Sequence, residues 1–240
     1  MNSSRNKKIT EYRAVVFDLD GTLYFQRKLR LTMACRLAFY YLCHPFHIKE
    51  LLVLKEFRTV REHWDELSKR AEDRQNMNLK SPRSLDTAQY LYVAEKMHVK
   101  AETVEQVVQT WIYENPLSAL QKSRDEAIAE LIKKLKEKNL FVLIFSDYPV
   151  KEKLSALGLI TLADGMYSAV DERLMELKPS PKGLKLIMED FHLEASQILM
   201  VGDRFSKDGM SAVNAGTDYL ILGKTKASRS VVYDKLFREF

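Results

Sequence analysis

Two kinds of hydrophobic pattern alternate along this chain. Residues 14–17, 140–145 and 198–201 are short, continuously apolar runs, which is typical of parallel strands buried on both faces. Between residues 24 and 120 the apolar side chains recur at three- and four-residue spacing, which predicts helices and no strand. The pattern therefore predicts an α/β protein in which a long helical stretch separates the first strand from the rest of the sheet.

Four helices are predicted within the helical stretch, at residues 29–43, 48–74, 84–98 and 101–114. The aromatic residues expected to pack in its core are Phe39, Tyr40, Tyr41, Trp64 and Trp111. The segment 31–43 is the longest apolar run, but it is shorter than a membrane span and Arg36 interrupts it. We expect this segment to be a buried helix, and contact with a membrane surface is the alternative.

After residue 120, helices and strands alternate. The predicted helices are 124–139, 150–157, 209–215 and 228–240, with a further helix starting near Pro181, and the predicted strands are 140–145, 166–170, 198–201 and 218–222. Strands joined in this way by helices form a parallel sheet with helices on its faces. We therefore predict a doubly wound, Rossmann-like α/β core domain from residues 1–23 and 121–240, and an inserted all-helical domain from residues 24–120.

Composition and charge narrow the class of protein. The 240 residues are 46% hydrophobic, which allows a substantial core, and they carry a net charge of +5. Lysines and arginines alternate with glutamates along the helices, so the charge predicts no nucleic-acid partner and suits an anionic small molecule. The first residues are polar and basic without an apolar run behind them, so we expect a cytoplasmic protein.

The two cysteines predict no disulfide. Cys35 and Cys43 are eight residues apart, about 12 Å along a helix, which is beyond the reach of an S–S bond. Cys43, His44 and His47 could ligate zinc, but no second pair of ligands has the required spacing. Pro45 is more simply explained as the end of a helix.

The candidate chemistry begins where the first strand ends. Asp18 and Asp20 follow the run 14–17, and Gly21 allows a sharp turn there. Ligands of open α/β sheets bind beyond the carboxyl ends of the strands, so both carboxylates are expected to face that crevice. Two carboxylates this close repel unless a cation lies between them or one is protonated, which predicts a divalent metal and an acid. A simple turn is the alternative.

Three further polar groups follow strands or turns later in the chain. Ser146 and Asp147 end the run 140–145, where a serine is otherwise an ordinary helix cap. Lys178 precedes a turn fixed by prolines, so its side chain is expected to be held in place. Asp203 ends the run 198–201 and is followed by Asp208.

These residues resemble, in order, the four motifs of the haloacid dehalogenase superfamily in its phosphatase form. The first motif is Asp18-Leu19-Asp20-Gly21-Thr22-Leu23, and the others contain Ser146, Lys178 and the pair Asp203 and Asp208. Many members carry a helical cap domain inserted directly after the first motif, as the stretch 24–120 is here. The resemblance implies that this cap closes over the substrate.

The resemblance also implies a role for each motif residue. Asp18 would be the nucleophile and Asp20 the acid and base, while Ser146, Asp147 and Lys178 would contact the phosphoryl group. Mg²⁺ would be bound directly by Asp18 and Asp203, by the backbone carbonyl of Asp20, and by Asp208 through water, unless Asp208 orients Lys178 instead. Carboxylate and carbonyl oxygens are the ligands that Mg²⁺ prefers.

The predicted function is Mg²⁺-dependent hydrolysis of a small phosphomonoester through an aspartyl phosphate. Phosphoryl transfer to a second substrate, as in a sugar phosphomutase, is an alternative on the same fold. Binding of phosphorylated ligands or of a membrane surface without turnover is another. Haloacid dehalogenation is disfavoured, because members with that activity lack an aspartate at the position of Asp20. The sequence predicts neither the natural substrate nor the oligomeric state.

Overall fold

A single sheet forms the centre of the molecule in the computed structural model, which describes residues 2–5, 7–73 and 84–240. The strands within these residues are β1 (Asn2–Ser3), β2 (Ala14–Phe17), β3 (Phe141–Ser146), β4 (Gly165–Ser168), β5 (Ile198–Gly202) and β6 (Asp218–Ile221). Their order is β1-β6-β5-β2-β3-β4, with β1 antiparallel to β6 and every other pair parallel. β1 is short and polar, and the hydrophobic pattern does not predict it.

A stretch of helices follows β2, and we call it the helical insertion; its described residues are 24–73 and 84–120. Its helices are α1 (Gln26–Cys43), α2 (Glu50–Glu62), α3 (Trp64–Asp73), α4 (Leu85–Met97), α5 (Ala101–Val108) and α6 (Leu117–Leu120). A 3₁₀ turn, Pro45–His47, joins α1 to α2, and a π-helical turn, Gln109–Glu114, continues α5. α2, α4 and α5 pack against one another through buried side chains such as Phe57, Val93 and Val104. The expected absence of strands holds for the described part of this stretch.

The remaining helices cover the sheet. They are α7 (Glu126–Glu137), α8 (Lys151–Ala156), α9 (Lys182–Phe191), α10 (Met210–Ala215) and α11 (Lys226–Phe237). α7 packs with α11 and α9 packs with α10, and right-handed crossovers place these two pairs on opposite faces of the sheet. The predicted doubly wound parallel core with an inserted helical domain is therefore confirmed, while the predicted domain boundaries remain a prediction.

β2 lies at the topological switch point of the sheet. Phe17, its last residue, pairs with Ile144 of β3 on one side and Val201 of β5 on the other. The chain continues first to β3 and β4, and then returns past β2 to β5 and β6. The crevice beyond the carboxyl ends of β2, β3 and β5 is the expected ligand site in such a sheet.

Three expectations about the helical insertion are wrong. The helix predicted over 48–74 breaks at His63, and residue 74 lies outside the described residues. Tyr41, Trp64 and Trp111 are buried as expected and Tyr40 packs half-buried against the core, but Phe39 is 72% exposed. The segment 31–43 is accordingly not a buried helix, because Leu31, Phe39 and Leu42 lie on an exposed face of α1.

The chain leaves and re-enters the core at one place. Tyr24 forms an isolated antiparallel bridge with Arg124. On either side of it, the backbone N–H of Phe25 donates to the carbonyl of Ser123 at 2.9 Å, and that of Asp125 donates to the carbonyl of Leu23 at 3.0 Å. The two connections to the helical insertion are therefore held side by side.

Candidate active site

Strand ends bring the predicted site residues to one edge of the sheet. Asp18 follows β2, Ser146 ends β3 and Asp203 follows β5. Lys178 reaches the same edge from the segment after β4, and Asp208 reaches it from a π-helical turn, Phe205–Gly209. Residues that are up to 190 positions apart in the sequence therefore meet beside Asp18.

Lys178 is the buried cation of this site, with 1% of its surface exposed. Its Nζ donates to Asp18 Oδ1 at 2.5 Å, to Asp208 Oδ1 at 2.7 Å and to the carbonyl of Phe145 at 3.3 Å. Burial by itself would lower the pKa of Lys178, but the carboxylates of Asp18 and Asp208 outweigh it and raise that pKa. The ammonium group therefore stays charged, as a buried charge with two counter-ions can.

Asp208 uses both of its carboxylate oxygens on the protein. Oδ1 accepts from Lys178, and Oδ2 accepts from the backbone N–H of Asp203 at 3.2 Å and of Arg204 at 3.0 Å. A Cβ atom on Gly202 would lie 2.3 Å from the Asp208 side chain, so the close approach requires glycine there. These contacts favour the role of orienting Lys178 and the segment after β5.

The carboxylates of Asp18, Asp203 and Asp208 form a cluster that fits a hard cation. One oxygen from each lies within 4.8 Å of the others. No described residue donates a hydrogen bond to the Asp203 carboxylate or pairs with it. Burial, and then the charge of Asp208, raise the pKa of Asp203. Because the Asp203 carboxylate lies beside other carboxylates and has no cationic partner of its own, it is suited to bind a divalent ion that prefers oxygen ligands.

The turn after Asp18 is packed tightly against this cluster. Gly21 has a φ of +99°, and a Cβ atom there would lie 2.6 Å from Asp203 Oδ2, so only glycine fits. The backbone carbonyl of Asp20, the other predicted metal ligand, accepts from Gln26 Nε2 at 2.8 Å. Thr22 Oγ1 donates to Asp18 Oδ2 at 2.9 Å, which fixes the orientation of that carboxylate.

Asp20 is held apart from the cluster by a lysine that the motifs do not include. Lys153 Nζ, from α8, donates to its two carboxylate oxygens at 2.7 and 2.8 Å, and the Tyr24 hydroxyl also donates to it. Burial would raise the pKa of Asp20, but Lys153 and then Tyr24 outweigh burial and lower it. Lys153 falls in register with Val150, Leu154 and Leu157 on the apolar face of α8, a signal in the sequence that could have identified it.

Ser146 and Asp147 stand at the end of β3 beside the cavity. Ser146 Oγ accepts from the backbone N–H of Tyr148 at 3.1 Å and donates to Asp20 Oδ2 at 3.4 Å. The Asp147 carboxylate accepts from the backbone N–H of Lys178 at 2.9 Å. That carboxylate therefore positions Lys178, and any contact of Asp147 with an anion would fall to its backbone N–H.

A cavity of about 590 Å³ lies between this edge of the sheet and the helical insertion. Asp18, Asp20 and Ser146 line its inner end, and α1 contributes the apolar side chains of Leu29 and Met33. Its lining also includes six basic residues, which are Arg30, Arg58, Arg61, Lys153, Arg204 and Lys207. The side chains of Arg58 and Lys207 make no hydrogen bond or salt bridge to any described residue. Such a cavity suits a small anionic molecule with an apolar part.

Two neighbouring residues at the end of α2 attach the helical insertion to the core. Arg61, which is 3% exposed, donates to Asp86 Oδ1 at 2.5 Å and to the backbone carbonyl of Asp147. Glu62 forms a salt bridge of 3.1 Å with Arg204, which lies in the segment after β5. The motifs give no sign of either contact, because each joins residues that are far apart in the sequence.

The C-terminal helix fixes the turn after Asp18. Arg229 of α11 is 1% exposed and donates to the backbone carbonyls of Gly21 and Thr22, the latter at 2.9 Å. It also forms a salt bridge of 2.7 Å with Asp125. The carboxylate of Asp125 caps the N-terminus of α7. The sequence pattern predicts α11 but not this buried arginine.

The fold and the site define an α/β enzyme with a cluster of carboxylates and a buried lysine at its switch point. The family model of haloacid dehalogenase-like hydrolases matches residues 12–216. The chain belongs to this family and is a hydrolase. A comparison with curated protein sequences gave no match.

Solved structures support the same fold. The chain has a TM-score of 0.61 and 15% identity to the HAD-hydrolase YfnB from Bacillus subtilis bound to magnesium, over 95% of this chain and 99% of that one. A predicted phosphoglycolate phosphatase from Haemophilus somnus gives 0.53 and 19%, over 90% and 86%. L-2-haloacid dehalogenase from Xanthobacter autotrophicus gives 0.55 and 16%, over 88% and 77%. At these identities the likeness concerns the fold.

Proposed function

We propose that this hydrolase is a Mg²⁺-dependent phosphatase that acts on a small phosphomonoester in the cytoplasm through an aspartyl phosphate. The observation that carries the proposal is the second carboxylate, Asp20, which lies in the cavity 2.7 Å from Lys153 and outside the cluster of Asp18, Asp203 and Asp208. Hydrolysis of a phosphate ester needs an acid and a base in addition to the nucleophile. A dehalogenase has no use for this aspartate, in keeping with its absence from such members.

The proposed chemistry proceeds in two steps. Asp18 attacks phosphorus, and the bond to the leaving oxygen breaks as Asp20 gives that oxygen a proton. Asp20 then removes a proton from water, which attacks phosphorus and releases phosphate and free Asp18. Lys178, which contacts Asp18 at 2.5 Å, offsets the negative charge of the transferring group, and Ser146 donates a hydrogen bond to it.

Asp18, Asp203 and the carbonyl of Asp20 would hold Mg²⁺, with Asp208 acting through water or through Lys178. The ion supplies positive charge that lets an anionic nucleophile approach an anionic ester.

The helical insertion, proposed as a cap domain of residues 24–120, would exclude water and select the substrate, with residues 1–23 and 121–240 as the core domain.

The test is phosphate release from p-nitrophenyl phosphate, with 2-chloropropionate as a matched dehalogenase substrate. We expect turnover of the ester to require Mg²⁺, to be supported in part by Mn²⁺, and to be suppressed by Ca²⁺, whose looser coordination disturbs in-line geometry. Halide release should not be detected. Undiminished turnover in excess chelator would contradict the metal assignment, and halide release without phosphate release would contradict the reaction. Faster ester cleavage with added sugar acceptors would indicate a phosphotransferase instead.

A second prediction concerns Lys153. As the acid, Asp20 works only while protonated, so kcat/KM for an alkyl phosphate falls as pH rises through the pKa of Asp20. Because Lys153 lowers that pKa, Lys153→Met should raise it and shift the fall in kcat/KM to higher pH. Lys153→Arg keeps the positive charge and should keep the wild-type profile. A Lys153→Met profile that coincides with the wild type would show that Lys153 does not control Asp20.

A further inference from the structure

The outer face of α1, the turn after it and the start of α2 carry a group of exposed apolar side chains. We call these residues the outer stripe, and they are Leu31 (69% exposed), Phe39 (72%), Leu42 (81%), Phe46 (96%), Ile48 (56%) and Leu52 (58%). They make up six of the twelve large hydrophobic side chains found exposed in the described residues. Such a concentration marks an interaction surface.

α1 is apolar on two opposite faces. Leu29, Met33 and Leu37 recur at four-residue spacing and line the cavity. Leu31, Phe39 and Leu42 recur at helical spacing on the other side, with the exposed Cys35 between them. A helix that is apolar all round is normally covered on both sides. The inner face is covered by the rest of the protein, so the outer stripe still needs a partner.

The charge around the outer stripe indicates the nature of that partner. Residues 25–55 hold six of the 38 basic residues and one of the 33 acidic ones, so the rest of the chain, with 32 of each, is neutral. The one acidic residue, Glu50, accepts from Tyr41 and contacts His47. The net charge of +5 therefore comes from the segment that carries the outer stripe, where the expected balance of basic residues by glutamates does not hold.

We propose that the outer stripe docks this protein on the surface of an anionic lipid bilayer. Leucine and phenylalanine on one face of a helix, flanked by lysine and arginine, are the features of helices that lie in the bilayer interface. No helix in the described part of the chain has the length and apolar character to cross a membrane, so the contact would be peripheral. α1 would lie along the interface, with Phe46 at the bend towards α2 inserted most deeply.

A second copy of the chain fits the outer stripe less well. A two-fold interface brings the same patch together from both subunits, so the basic residues of one copy would face those of the other. Anionic headgroups instead neutralise these residues while the acyl region receives the apolar side chains. The cavity lies against the opposite face of α1, so docking leaves the site unchanged and does not depend on the proposed function.

The experiment is co-sedimentation of the full chain with vesicles of phosphatidylcholine alone and of phosphatidylcholine with phosphatidylserine. We expect binding to the mixed vesicles that weakens at high salt, and little binding to phosphatidylcholine. Phe39→Glu with Phe46→Glu should lower the partition coefficient on the order of 100-fold, since the bound protein would no longer bury two aromatic side chains in the bilayer. Val213→Glu with Val231→Glu changes two exposed residues elsewhere (51% and 58% exposed) and should bind as the wild type does.

Circular dichroism and the hydrolysis of a soluble ester establish that each variant is folded, independently of lipid. Absence of binding by the folded wild type to mixed vesicles would overturn the proposal. Equal loss in the two double variants would overturn it as well, since the outer stripe would then have no special role. Concentration-dependent dimers without lipid that are lost on Phe39→Glu with Phe46→Glu would assign the stripe to a second copy and overturn membrane docking.

Discussion

Asp18→Asn is expected to abolish the covalent phosphoenzyme and to lower kcat on the order of 10⁴-fold or more. An amide in place of the carboxylate cannot attack phosphorus. The substitution is nearly isosteric, and the oxygen that remains can still accept from Thr22. Lys178 keeps its second partner, Asp208, at 2.7 Å, so the variant should fold. The loss of activity is therefore expected without a comparable loss of stability.

The matched variant is Asp20→Ala, which leaves the nucleophile in place. Its turnover should fall about 10²–10⁴-fold through loss of the positioned proton transfer. p-Nitrophenolate scarcely needs protonation to leave, so the first step should suffer less than the second and phosphoenzyme should accumulate. Acid quenching should then trap a hydroxylamine-labile label on Asp18, after a burst of one turnover. Wild-type turnover in Asp20→Ala, or a label on another residue, would contradict the assigned roles.

Lys178→Met is expected to have the second large effect, on stability as well as on activity. It leaves Asp18 and Asp208 buried without their shared cation, which should lower the free energy of unfolding by about 3–5 kcal/mol. It should also lower kcat on the order of 10²–10³-fold, as loss of a group that offsets developing charge does. Denaturant unfolding and steady-state kinetics measure the two effects separately.

The pH dependence and a double variant test the cause of this instability. Burial already raises the pKa of Asp18, and removal of Lys178 takes away the charge that opposes it. The unpaired Asp18 carboxylate should therefore be protonated as pH falls below neutral, and the stability deficit of Lys178→Met should shrink in that direction. Lys178→Met with Asp208→Asn should recover part of the stability at neutral pH but none of the activity. A deficit that is independent of pH would show that lost packing is the cause.

The elements that the sequence predicts best are those with a local signal. The strands at 14–17 and 198–201 are continuous apolar runs, and the polar residues of three of the four motifs, Asp18, Ser146 and Asp203, come at the ends of such runs. Arg61 and Arg229 carry no such signal, because their roles depend on partners far away in the sequence, at Asp147 and Thr22. For Lys153 the only local signal is its place among the apolar residues of α8, and its partner Asp20 is equally far away. A hydrogen bond across the fold leaves no periodicity in either segment that forms it.

The error at Phe39 has a different cause. Periodicity shows which side chains share a face of a helix, but it does not show what lies against that face. α1 has apolar side chains on both faces, so the pattern predicts burial of both, and the structure covers only the one with Leu29 and Met33. β1 was not predicted because Asn2 and Ser3 are polar and make up only two residues, too few to show an alternating apolar pattern.

The side-by-side connections at Tyr24 and Arg124 bear on how the chain folds. β2 and β3 are neighbours in the sheet, although Phe17 and its partner Ile144 are 127 positions apart, which is a contact of high sequence separation. Closing a flexible loop of roughly 100 residues costs about 4 kcal/mol of entropy. Helices form through local contacts, so assembly of the insertion before the sheet would bring residues 24 and 124 together. We therefore expect the insertion to fold first. With its two ends held together, β2 and β3 would then pair as if only a short loop joined them.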